Sequence, residues 1–214
     1  MGRRGEEFVM EKFVKKYAKI YRTALIENNF SDIDVRVESY VHRLQGMYAS
    51  QDFAKHNVYP TMDVTKIYAV IAMCLELKKD KYTDKEIIDI VNSGFKRLKK
   101  ILAVAEKIID SLPTSYKIAK KWNITDYENR IKDGSITYDY FNVTEGKIEY
   151  RISKCMYIDM FEHYGIRGLC KIFCLTDESA YANLTRHVKF IRYSDLSDGE
   201  CCHDEVLDKG YLRE

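Results

Sequence analysis

The periodicity of apolar residues changes once along this chain, and that change limits what it can fold into. Up to about Asp133 they recur at steps of three and four, which gathers them on one face of an α-helix. From Ser135 they alternate with polar residues, as in strands whose two faces meet different surroundings. Such a chain builds a helical layer first and then a small antiparallel sheet with helices on one face, an α+β fold. We expect a helical region over 1–134 and an α+β region over 135–214, together one compact unit.

Phe8, Val9, Phe13, Tyr17, Ile20, Tyr21, Ala24 and Leu25 define one amphipathic helix from Glu6 to about Asn28. Ser31 with Asp32 caps the next, which runs to about Ser50. Gln51 to Met62, holding Pro60, reads as a loop, and a more apolar helix follows from Val64 to Leu77. Thr83 and Glu86 form a capping box. The helix behind it is bent at Gly94 and stopped by Pro113. Tyr116 to about Ile131 makes one or two short helices, closed by the turn at Asp133-Gly134.

Beyond Ser135 two strands, ending near Val143 and Ile152, form a hairpin around Glu145-Gly146. Met156 to Tyr164 is helical and closed by Gly165. Gly168 to Phe173 is a short apolar stretch, and Thr176 caps a helix from Asp177 to about Leu184. Strands follow at Val188–Tyr193 and Cys202–Leu207.

A net charge of +2 is too close to balance for nucleic-acid binding to be expected. Residues 151–214 hold 9 basic and 11 acidic groups (−2), and the first 150 hold 26 and 22 (+4). The basic runs lie on helical patterns and read as solvated faces. No apolar stretch approaches the ~20 residues of a membrane span, and the first residues turn acidic before any signal-like segment forms. A cytoplasmic chain with free thiols is expected.

Five of the six cysteines fall between Cys155 and Cys202. Cys174, two residues before the proposed cap Thr176, would meet free amides that favour a thiolate. Asp177 and Glu178 oppose this. Buried alone, Cys174 would be a small hydrophobe. Asp177 is a first-turn carboxylate or a group for a substrate amine. His163 lies four residues after Asp159 on one helical face, which suits either a surface pair or a fixed imidazole. Zinc is the rival reading, with Cys170 and Cys174 joined by Cys202 and His203 or by Cys155. Against it, the first pair lies in an apolar helical stretch, and Cys201 and Cys202 point to opposite faces of a strand. No other cofactor is expected.

The runs Ile152-Ser153-Lys154-Cys155-Met156-Tyr157, Tyr164-Gly165-Ile166 and Phe173-Cys174-Leu175-Thr176-Asp177 resemble the L-2-amino-thiazoline-4-carboxylic acid hydrolase family. So does Arg192 on a strand, followed by Gly199-Glu200-Cys201-Cys202. The resemblance covers about 136–208; the front is similar in being helical. The family's Cys-Asp-Phe element stands here as Cys202-His203-Asp204. The frame also looks like that of vinyl-reductase-type small-molecule-binding domains.

The resemblance implies hydrolytic opening of a thiazoline ring, with Cys174, Asp177 and His163 catalytic and Cys155, Arg192 and Cys202 holding a small-molecule substrate. The alternatives are a sensor or carrier domain and a zinc-stapled interaction module. Oligomeric state is open.

Overall fold

The computed structural model describes residues 3–211, the side chains of 3–9 excepted. The chain divides into two compact units, Met1–Lys96 and Arg97–Glu214. The division thus falls ahead of the change in periodicity at Ser135.

The first unit holds α1 (Arg3–Glu27), α2 (Ile33–Tyr48), α3 (Gln51–His56), α4 (Thr61–Lys78) and α5 (Asp84–Gly94). α4 is buried around its whole girth because α1, α2, α3 and α5 all pack on it. A helix apolar on every side finds cover this way. Tyr21, Tyr40 and Tyr68 are fully buried, with Leu25, Leu44, Ile67 and Ile71 around them. Tyr40 and Tyr48 donate to the carbonyls of Ala69 (3.3 Å) and Thr65 (2.9 Å), and Tyr68 meets His56 Nδ1 at 2.7 Å. Phe8 and Val9, expected on the apolar face of α1, lie outside the described side chains.

Two expectations change here. Gln51–His56 is a helix and not a loop: Ser50 Oγ accepts from the Phe53 amide at 3.1 Å, and the Phe53 ring packs on Tyr48 and Tyr68. Six residues are too few to show a helical period, so only the cap could have revealed it. Gly94 does not bend a helix but ends one. A Cβ there would stand 2.6 Å from the carbonyl oxygen of Ile20, so the α1 backbone passes where a side chain would be. The capping box is formed, Thr83 accepting from the Glu86 amide and Glu86 from the Thr83 amide.

The second unit holds α6 (Lys96–Asp110, beginning at the boundary), α7 (Ser115–Asp133), β1 (Ile136–Val143) and β2 (Lys147–Cys155). It continues with α8 (Met156–His163), a 3-10 turn (Arg167–Cys170), α9 (Lys171–Tyr181), β3 (Val188–Ser194) and β4 (Cys202–Asp208). α7 is a single helix, ended by Gly134 in the left-handed region (φ 68°) where a glycine carries no steric cost. The four strands form one antiparallel sheet in the order β1-β2-β4-β3. The expected architecture, helices followed by a small antiparallel sheet with helices packed on it, is what the chain adopts.

Alternation divides the sheet. Ile148, Tyr150 and Ile152 of β2 stand opposite Val206, Asp204 and Cys202 of β4, and Phe190 and Arg192 of β3 pair with Val206 and Asp204. α7, α8 and α9 pack on the sheet. Tyr116 and Ala119 of α7 join Ile148, Val188 and Val206 in its core. On the other face Glu149 lies directly opposite Glu205, and Lys147 bridges the two at 2.8 and 3.5 Å. Lys147, then His203, holds the Glu149 carboxyl down to about 2.

Gly94→Ala is expected to destabilise the protein by about 1–3 kcal/mol, the usual cost of forcing atoms into filled space. Gly46→Ala, in a helix with nothing within 4 Å of the added methyl, should be neutral or stabilising by up to ~1 kcal/mol. Urea midpoints of the two variants check the contrast.

Candidate functional site

Cys155 ends β2 in extended backbone, Cys170 closes the 3-10 turn, Cys174 lies inside α9 and Cys202 opens β4. α9 is not capped by Thr176 to begin at Asp177, as expected. It starts at Lys171 and runs unbroken through Cys174, and the Thr176 hydroxyl donates back to the Phe173 carbonyl at 2.6 Å. Cys174 therefore does not precede a helix start, and the free amides expected to favour its thiolate lie about a turn earlier. The apolar run Gly168–Phe173 hid this, because it continues straight into the helix.

Of these sulfurs, Cys170 and Cys174 are in hydrogen-bonding contact, and Cys155 and Cys202 lie within electrostatic reach. A hydrogen bond with Cys174, reinforced by burial, raises the Cys170 thiol, and Cys155 and Cys202 add to the effect. Burial pushes Cys155 up to about 11 and Cys202 up to about 12, and the Cys174 sulfur adds to both. Cys201 lies one residue off the register, with its Sγ 3.5 Å from Ser194 Oγ. Adjacent strand residues point to opposite faces, so only Cys202 joins the group.

Arg192 fastens this end of the sheet. Its Nε and Nη2 donate to the two carboxylate oxygens of Asp204, both at 2.8 Å. Nη2 also reaches Asp177 Oδ2 at 2.9 Å, and Nη1 donates to the Cys174 carbonyl. The Arg192 side chain is 9% exposed and that of Asp204 1%. Arg192, expected to hold substrate, thus spends its donors within the protein.

Burial raises the Asp177 carboxyl against the pull of Arg192. Yet its side chain is 53% exposed, so solvent moderates that rise. Protein surrounds the carboxylate while one side stays open. Among the described residues its Oδ1 takes no hydrogen bond.

Three phenols border the same groups. Burial raises Tyr138, whose ionisation also responds to Cys155 and Asp177, and raises Tyr150, which responds to Asp204 and Asp177. Tyr181 is pushed up to about 12 by burial, although Asn123, bonded to its hydroxyl at 2.6 Å, pulls the other way. All three remain neutral hydrogen-bond donors near pH 7. Sequence reasoning missed them and Asp204. The available signal was the two-residue step from Cys202 to Asp204, which puts both on one strand face.

His163 is exposed at the end of α8, edge-on to Tyr164 at 5.1 Å. His203 lies on the opposite face of the sheet from Asp204, with Nε2 3.1 Å from Glu149 and 3.2 Å from the Tyr140 hydroxyl. A groove of about 510 Å³ runs between α9 and β3, lined in part by Glu178, Tyr181, Lys189, Phe190 and Arg192. Of the expected site residues only Arg192 reaches it. Among the described residues no three His, Cys, Asp or Glu side chains are grouped so as to hold a metal ion. No described helix is long and apolar enough to cross a membrane.

The sequence profile of the family described as L-2-amino-thiazoline-4-carboxylic acid hydrolase matches residues 62–204, from α4 to β4. That is well over half of the 214 residues. The match begins far ahead of residue 136, so the helices from Met62 onward share more with the family than being helical. No curated protein matches the chain.

Asp204→Asn removes one charge of a buried pair with little change of shape. It should cost up to about 3–5 kcal/mol, since Arg192 loses its buried counter-charge and keeps only the half-exposed Asp177; a urea midpoint that stays unchanged would refute the fastening role. A second outcome concerns pH. The Cys202 thiol is raised in the folded protein from an ordinary 9.0 to about 12. Its contribution to stability is therefore complete below about pH 9 and is lost as pH rises toward 12. Cys202→Ala should show a shallower fall in stability between about pH 8 and about pH 10.5 than the wild type.

Proposed function

The chain belongs to the L-2-amino-thiazoline-4-carboxylic acid hydrolase family, and on that premise we propose that it opens a thiazoline-type cyclic amidine at the ring carbon–sulfur bond. The observation that carries this reading is the hold of one guanidinium, Arg192, on both the Asp177 carboxylate and the Cys174 carbonyl.

Net ring opening adds one water. The Cys174 thiolate adds to the amidine carbon, and the ring C–S bond breaks with its electron pair passing to the departing sulfur. Water then displaces Cys174: its oxygen stays on the carbon as the carbamoyl group, its two protons end on the ring nitrogen and the departing sulfur, and the thiolate is restored. The departing sulfur, an ordinary thiolate of pKa about 8.5, leaves without an acid and takes its proton from water. His163 therefore has no part in this assignment. The open Oδ1 of Asp177 holds the exocyclic amine of the amidine, a charge-assisted hydrogen bond. Arg192 is a positioning residue, keeping Asp177 and the Cys174 backbone in register. Tyr138 and Tyr150 offer neutral donors, and Cys155 and Cys202 line the substrate's side of the sheet.

A second reading has its own support. Cys155, Cys170 and Cys202 are all raised, which suits a neutral lining that holds a small ligand without reacting. This is the sensor or carrier.

Incubation with the thiazoline acid should yield N-carbamoyl cysteine, read by mass spectrometry. Cys174→Ser should lower turnover by roughly 10²–10⁴-fold, the scale of one positioned catalytic group. Asp177→Asn should raise KM more than it lowers kcat, and His163→Ala should retain activity. Full turnover by Cys174→Ser would remove the nucleophile. A ligand that raises the melting temperature with no product formed would establish the carrier instead.

A further inference from the structure

α6 is turned inside out. Its buried positions are Glu106 and Asp110. Glu106 accepts from Asn183 at 2.7 Å, and Asp110 from the Arg186 amide at 2.9 Å, so the polar side of the helix is tied into its own unit. The apolar side faces out as a consequence. Leu98, Ile101, Leu102, Val104 and Ile108 are 48–62% exposed, as is Leu112 just past the helix at 41%. Scattered exposed leucines need no explanation, but a continuous stripe fixed outward by buried carboxylates marks an interaction surface.

Two features identify its occupant. The stripe reads nearly the same in both directions about Ala105: Leu102 and Ile108 lie three residues to either side, and Leu98 and Leu112 seven. A two-fold interface requires that self-complementarity, since the same patch must serve both copies. Charge points the same way. The carboxylates being turned inward, the exposed charges of α6 are Lys96, Arg97, Lys100 and Lys107. Three of these crowd the helix N-terminus, where its own dipole disfavours them; Lys96 is answered by Glu27 at 2.8 Å, which leaves Arg97 and Lys100. An antiparallel neighbour would set its carbonyl-bearing C-terminus beside them.

We propose that α6 pairs antiparallel with α6 of a second copy of this chain, about a two-fold axis at Ala105. Leu98 then meets Leu112 of the partner subunit, and the small Ala105 lets the two backbones approach.

Sedimentation equilibrium of the full chain should show a concentration-dependent dimer. Leu102→Glu combined with Ile108→Glu should weaken association at least tenfold while leaving the far-UV circular dichroism unchanged. Should that variant fail to fold, cysteine cross-linking under mild oxidation decides, with the wild type and its free cysteines as the background. Ala105→Cys should cross-link copy to copy. Leu98→Cys should not do so alone, but should when mixed with Leu112→Cys. A chain that stays monomeric, Leu98→Cys cross-linking as readily as Ala105→Cys, or association untouched by the double substitution would each overturn the proposal. So would a monomer that binds phosphatidylserine vesicles through this stripe.

Discussion

The bidentate pair of Arg192 and Asp204 is the interaction on which the packing of the second unit's sheet against α9 depends. Two adjacent strands, β3 and β4, each place one charge on the covered face, and neither could be buried alone. Once paired, the guanidinium has donors to spare. It spends them on the Cys174 carbonyl and on Asp177, so the sheet reaches across to α9 and sets where that helix lies. The Phe190 ring beneath the guanidinium, 5.4 Å from its centre, completes the seat. A buried ion pair is weak evidence for stability in itself; here it fixes how α9 meets the sheet.

Much of the fold was legible because the periods were long or strictly alternating. α1, α4 and both strands of the hairpin show several repeats each, and the capping box at Thr83 and Glu86 is a local code. What escaped was short or continuous. α3 has too few residues to complete a period. α9 merges with an apolar run, so Thr176, a good cap by composition, sits inside a helix and bonds backward to Phe173. Gly94 carried a true signal of a break, but its reason, the passage of the α1 backbone at Ile20, lies 74 positions away in sequence and belongs to packing alone.

The site was legible only in part, and for a similar reason. Crowded cysteines pointed to the C-terminal segment, where Arg192 binds the Cys174 carbonyl and the Asp177 carboxylate. Their partners were hidden by sequence distance. Asp204 looked like a departure from a motif, whereas in the fold it is the counter-charge to Arg192. Tyr138 and Tyr150 looked like ordinary strand residues, and only the return of α9 over the sheet brings Asp177 to them.

The strand order has a consequence for how the chain keeps to itself. β1 and β3 are the outermost strands, and an open edge of backbone amides and carbonyls invites addition of foreign strands. Both rims are spoiled as templates: β1 is kinked between Thr137 and Tyr140, and β3 slips register between Arg192 and Ser194. Irregular rims of this kind deter fibril-like stacking. The slip in β3 comes immediately after Arg192, so the distortion that blunts the rim also frees the chain just where its guanidinium must turn toward α9.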